Sequence, residues 1–94
     1  MVFENAITLP GTTSIFLSNT LVRAAEVQVP KGSRVVHKKL ADLSIPKGCV
    51  IGMIYRAGEL VVPRGDTTLE AGDVIAIMGR EDAIGKVVEQ ITGR

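Results

Sequence analysis

The sequence predicts an α+β fold: a small mixed or antiparallel sheet covered by two helices, in the order β-α-β-β-β-α from residue 26 onward. Three observations point there. Apolar residues make up 46% of the 94 residues but aromatics only 3%, so Val, Ile and Leu must build the core, which suits strands. Residues 49–56 and 73–79 are almost continuously apolar, the pattern of strands buried on both faces. A turn signal of branched aliphatic, Pro, basic residue and Gly recurs in "VPKGS" (29–33), "IPKGC" (45–49) and "VPRGD" (62–66). Pro presets φ at about −65° for the second turn position, Gly suits the fourth, and Pro cannot donate to a sheet ladder, so each copy ends a strand or segment.

The elements follow in order. Residues 5–25, "NAITLPGTTSIFLSNTLVRAA", predict a short strand ending at Leu9, a break at Pro10-Gly11 and a helix over about residues 12–24. This stretch, 1–24, reads as an N-terminal connector to a domain at 25–94. "EVQV" (26–29) alternates and predicts a strand. Residues 33–45 predict a short amphipathic helix: Ser33 is a good N-cap, Val36, Leu40 and Leu43 share one face, and Lys38, Lys39 and Asp42 take the others. Residues 49–56 form a strand, "RAGE" (56–59) a tight turn, and 60–62 the return strand of a hairpin. Residues 73–79 form the last strand. In 80–94, Ile84, Val87, Val88 and Ile91 lie at i, i+3, i+4 and i+7, with Glu81 and Asp82 in the first turn where the helix dipole favours negative charge. Gly85 costs this helix up to about 1 kcal/mol relative to Ala. It either admits a close approach to the sheet or is a tolerated imperfection.

Composition removes several function classes. A net charge of +1 offers no field for a nucleic-acid backbone, and one Tyr, two Phe and no Trp offer few platforms for bases. The single cysteine, Cys49, forms no internal disulfide and reads as a small hydrophobe in a reducing, cytoplasmic setting. No apolar run approaches the ~20 residues that span a bilayer, and Glu4 with no basic n-region argues against a signal peptide. Asp66, Glu70 and Asp73 lack the spacing of a calcium loop, and one His with one Cys makes no metal set. His37 is the only imidazole; a solvated or interface role fits it better than catalysis. Asp42, Glu59, Asp66 and Asp73 fall at turns or helix ends, where burial is not expected, so no paired acids stand ready for acid–base work. No nucleotide-binding glycine loop is present. Arg64-Gly65-Asp66 is the third copy of the turn rather than an adhesion signal. Lys31, Lys47 and Arg64 at the turn tips could hold an anion if two of them converged, but solvated tips are the simpler reading. What remains is no enzyme, but a module that binds, dimerises or transmits a conformational change.

From residue 25 to 88 the ordered motifs resemble the TrkA C-terminal (RCK C-terminal) domain family. They are Glu26, Val29, Pro30, Gly32 and Ser33; then Lys39, Leu40 and Leu43; then Pro46 and Gly48; then Ile54, Arg56, Gly58 and Glu59. The series closes on Pro63, Gly65, Asp66, Thr67, Leu69, Gly72 and Asp73, and on Gly79.

The resemblance implies a regulatory ligand-binding and dimerisation domain in a cytoplasmic subunit or tail of a potassium or other cation channel or transporter. Its partners would be a second copy and the membrane transporter subunit, which would hold it peripherally at the inner membrane. The implied ligand is cyclic di-AMP or another nucleotide, in a groove near Val35, Val36 and Pro63, with His37 and Arg56 added. Aliphatic walls would sandwich a flat ring, and Arg56 or a backbone amide would take a phosphate. The family's nucleotide-binding Rossmann-type half is missing, so NAD or ATP binding is not carried over. The family usually has Gly before its helix Lys, where this chain has His37. Two rival readings are a purely structural dimerisation module and the effector domain of a transcription regulator.

Overall fold

A computed structural model describes residues 12–17 and 20–93. The strand expected to end at Leu9 lies outside them. The helix expected over 12–24 is instead a β-hairpin. β1 (Thr12–Leu17) pairs antiparallel with β2 (Thr20–Gln28), from Thr12 opposite Ala25 to Leu17 opposite Thr20. The physical reason is composition: Thr12, Thr13, Ile15, Thr20 and Val22 are β-branched and lose χ1 freedom in a helix. The strand expected at 26–29 is the second half of β2.

Three later strands complete the sheet. β3 (Cys49–Arg56) and β4 (Glu59–Val61) form the expected hairpin. Its two turn residues, Ala57 and Gly58, have φ of 50° and 85°, the left-handed pair that matches the twist of flanking strands. β5 (Val74–Gly79) lies between β2 and β3, giving the order β1-β2-β5-β3-β4 with every neighbouring pair antiparallel. Residues 49–56 and 73–79, expected to be buried on both faces, are buried on one only: Ile51, Ile54, Ile75 and Ile77 face the core, while Val50, Tyr55 and Met78 are exposed on the other face. A bulge at Gly52 shifts the β3–β5 register between Ile51 and Met53, so Ile51 and Ile54 both face the core.

α1 (Glu81–Thr92) packs on β2 and β5 and buries Ala83, Ile84, Val87 and Ile91, with Val88 partly buried. Gly85 is solvent-facing, and a Cβ there would meet nothing within 4 Å, so it is a tolerated imperfection rather than a close approach. Gly79 is different. Its φ is 144°, and a Cβ there would strike the backbone of Gly48 and Cys49, where Arg80 N–H donates to Gly48 C=O. Only glycine lets β5 turn into α1 against that loop.

The α+β class stands, but the first covering helix, expected over 33–45, is a turn at 34–37 followed by one 3-10 turn, Leu40–Asp42. Its backbone groups have found partners elsewhere. His37, Leu40 and Ala41 amides donate to the carbonyls of Leu69, Thr67 and Gly65, and Leu69 N–H donates to Lys38 C=O. His37, at φ 69°, closes the turn. Ser33 does not act as a simple helix cap: its hydroxyl accepts from Val35 N–H and donates to Ile91 C=O, tying the segment to the end of α1. Leu40 and Leu43 still reach the core, as their spacing predicted, and Val35 joins them.

Candidate functional site

The segments 37–41 and 65–69 run side by side, joined by backbone hydrogen bonds, and His37 stands at one end of their rim. Beneath it lies an ion pair. β3 ends at Arg56, whose Nε donates to Asp73 Oδ1 at 2.9 Å and whose Nη2 donates to Asp73 Oδ2 at 2.8 Å. The same Nη2 donates to Thr68 C=O at 2.8 Å, and Glu70 N–H donates to Asp73 Oδ2 at 2.9 Å. Asp73 also holds β2: its carbonyl accepts from Val29 N–H, while Gly72 N–H donates to Val29 C=O.

Asp73 is therefore 1% exposed, against the expectation that this acid is solvated in its turn. Burial alone would push its carboxyl up, but the Arg56 hydrogen bond, the Glu70 amide and the Arg56 charge outweigh it and hold the carboxyl below its ordinary value. Arg56 is raised in turn, first by its hydrogen bond to Asp73. The paired, bidentate geometry is the form in which an ionised carboxylate is tolerated inside a protein.

This changes the standing of the expected groove residues. The Arg56 guanidinium is committed to Asp73 and Thr68. Val35 is 1% exposed and belongs to the core. Val36 and Pro63 are half-buried and His37 is exposed, but the pairing of His37 with Leu69 and of Ala41 with Gly65 sets Val36 and His37 at one end of these segments and Pro63 beyond the other. His37 Nε2 lies 3.2 Å from Glu70 Oε1. Glu70 thus joins two layers: its side chain meets His37 on the rim, and its amide meets Asp73 below. In the sequence Glu70 stands only as a member of the acid group Asp66, Glu70 and Asp73, which lacks calcium-loop spacing. The signal for Arg56 and Asp73 was present, because both are positions of the family motif, but nothing in a spacing of 17 residues says that they pair.

Among the described residues, two larger concavities lie elsewhere. A groove of about 680 Å³ between residues 34–46 and α1 is lined by Arg34, Lys38 and Lys86 with Asp42, Glu89 and Gln90. Gln90 closes one end by accepting from Ser44 N–H and donating to Ser44 C=O. The turn-tip cations Lys31, Lys47 and Arg64 are exposed and do not line it. A second hollow of about 470 Å³ opens on the sheet face away from α1. Cys49 is half-buried, and burial, then the Asp82 charge, pushes its thiol up, away from reactivity. Among the described residues, no three His, Cys, Asp or Glu side chains group to hold a metal, and no helix is long and apolar enough to cross a membrane.

A family model described as the TrkA-C domain matches residues 24–92. The chain belongs to the TrkA-C domain family. It is 40% identical over 77 residues to a Trk system potassium uptake protein TrkA homolog of Archaeoglobus fulgidus, covering 81% of this chain and 18% of that protein. It is 32% identical over 63 residues to the TrkA homolog of Methanothermobacter thermautotrophicus, covering 67% of this chain and 29% of the relative. The TrkA-C domain here thus spans less than a third of either relative. A solved structure named "RCK domain with cda" shares the fold at TM-score 0.65 and 22% identity, covering 72% of this chain and 96% of that one. The family's positions acquire physical reasons here. Gly79 avoids a backbone clash, Arg56 and Asp73 form the ion pair, and His37 stands at a left-handed φ where glycine would be unstrained.

Proposed function

We propose that this TrkA-C domain is a regulatory ligand-binding and dimerisation unit of a cytoplasmic subunit or tail of a potassium (cation) transport system. It converts binding of a small nucleotide into a bias on gating, with residues 1–24 as the connector to the rest of the system. The ligand class is cyclic di-AMP or a related nucleotide. Val36 and Pro63 offer aliphatic surface to a base, and the His37 side chain faces the phosphate. Arg56 supports from below rather than by direct contact. The chain needs no catalytic group, metal or NAD for this role.

The observation that carries the reading is the link through Glu70. A ligand phosphate that draws His37 away from the Glu70 carboxylate disturbs the residue whose amide bonds Asp73. Asp73 in turn fixes the ends of β2 and β3. A ligand with different affinity for two arrangements of this loop shifts their populations. Membership of a family whose relatives are named potassium uptake proteins supports the transport setting. The likeness to a solved RCK domain named with cda supports the ligand class.

The test is calorimetry and thermal shift against cyclic di-AMP, ATP and NAD. Heat with cyclic di-AMP, weakened in His37→Ala, is expected. Silence from every nucleotide removes the ligand part. That outcome would favour the second reading, a purely structural dimerisation module, which the burial of Val35 and the pairing of Arg56 already support.

A further inference from the structure

The groove between residues 34–46 and α1 is held open by hydrogen bonds. Two ties fasten the segment to the helix. At the first, the Ser33 hydroxyl donates to Ile91 C=O and Arg34 N–H donates to Gly93 C=O at 3.1 Å. At the second, the Gln90 side chain takes both backbone groups of Ser44, at 3.0 Å each. Between the ties, the amides of His37, Leu40 and Ala41 are held by the carbonyls of 65–69. The groove of about 680 Å³ is therefore formed before any ligand arrives, and it has the size of small-molecule sites, roughly 300–1,000 Å³.

Its lining carries charge that meets no partner. The ion pairs among the described residues are Arg23–Glu81, His37–Glu70, Arg56–Asp73 and Arg80–Asp82. Arg34, Lys38 and Lys86, which line the groove, belong to none of them, and neither do Asp42 and Glu89 beside them. The Arg34 guanidinium is held in place: a Cβ on Gly93 would lie 3.4 Å from its Nε and Cζ, so it rests on the backbone at the end of α1. Ile45 and Pro46, both half-buried, add an apolar wall.

We propose that this groove binds a small phosphorylated molecule that also carries hydroxyl or amino groups, the chemistry shared by sugar phosphates and nucleotides. A phosphoryl group accepts from the Arg34 fork and from the two lysine ammonium groups. Asp42 and Glu89 are acceptors only, so they repel a bare anion and require donors, which hydroxyl or amino groups supply. Ile45 and Pro46 cover the carbon skeleton. A nucleic-acid strand fits poorly, because its successive phosphates would meet the two acids and a net charge of +1 adds no attracting field. A ligand here bridges α1 to the 34–46 segment and fastens the helix that packs on β2 and β5. Val36, His37 and Pro63 do not line the groove, so the inference stands whether or not they take a nucleotide.

Amide chemical-shift titration of the whole chain with inorganic phosphate, ribose 5-phosphate and AMP tests it, with sodium sulfate as the control anion. Shifts are expected at residues 34–46 and 86–93, with the two organic phosphates binding at least about threefold tighter than inorganic phosphate. AMP tighter than ribose 5-phosphate assigns the groove to nucleotides; equal affinities assign it to sugar phosphates. Arg34→Gln and Lys86→Gln, both at exposed positions, should each weaken binding on the order of tenfold. Glu89→Gln should tighten inorganic phosphate about threefold and shrink the advantage of the organic phosphates. His37→Ala should change neither. Silence at these residues with every probe overturns the site, as does sulfate binding as tightly as the organic phosphates. Affinity indifferent to both Arg34→Gln and Lys86→Gln overturns it too. Binding lost in His37→Ala, with shifts at Val36 and Pro63 instead, overturns the groove and leaves the nucleotide reading above intact.

Discussion

β3 and β5 lend alternate residues to two faces that stand in different environments. Inward, Ile51, Ile54, Ile75 and Ile77 are buried against α1 and the 34–43 segment. Outward, Val50, Tyr55 and Met78 lie in solvent although their neighbours on the same strands do not. Hydrophobic free energy is gained where apolar area leaves water, so the inward residues contribute to folding and the outward ones do not until something covers them. Adjacent positions on one strand should therefore fail in different ways.

The largest effect belongs to the inner face. Ile54→Ala removes a fully buried side chain and should cost about 3–4 kcal/mol of unfolding free energy in urea titration, including the cavity it leaves. A cost near zero would mean that the inner face is not the core. Next is Asp73→Asn. It leaves Arg56 without its carboxylate; because Arg56 is itself 35% exposed, water recovers part of the loss, and about 2–3 kcal/mol is expected.

The pH dependence follows from the same residue. Asp73 has a carboxyl held below its ordinary value, so its contribution is complete above the unfolded value of about 3.9 and is lost as pH falls through the lower folded value. Acid unfolding monitored by circular dichroism should show this loss below about pH 4 in the wild type, and a shallower acid limb in Asp73→Asn. An unchanged acid limb would show that the ion pair is not the acid-sensitive element. Ser33→Ala is smaller. It deletes a buried hydroxyl that bridges Val35 N–H and Ile91 C=O, and should cost about 1–2 kcal/mol. The smallest effect is on the outer face, where Leu60→Asp should change the stability of the single chain by less than about 0.5 kcal/mol.

Much of the second half was legible in the sequence. The strands at 49–56 and 73–79, the hairpin of β3 with β4, and the helix after residue 80 all carry local signals: apolar runs, Gly58 in a turn, a 3.6-residue stripe. The first half was not. In residues 12–28 the apolar positions fit neither a clean alternation nor a clean helical stripe, and their β-branched content outweighed the helical reading. In 33–45 the spacing of Leu40 and Leu43 correctly named core residues, but the backbone's partners were the carbonyls of 65–69, which no local pattern encodes. The same limit applied to the site. Arg56 read as a free phosphate ligand and Asp73 as a solvated acid, because each was considered without the other. Val36, His37 and Pro63 kept the exposure the ligand reading needs, and Val35 did not.

The most direct test of the difference between the two faces is urea unfolding of Leu60→Asp beside Ile54→Ala. An unfolding free energy within about 0.5 kcal/mol of the wild type is expected for Leu60→Asp, against a loss of about 3–4 kcal/mol for Ile54→Ala. A loss of about 2 kcal/mol or more in Leu60→Asp would contradict the difference.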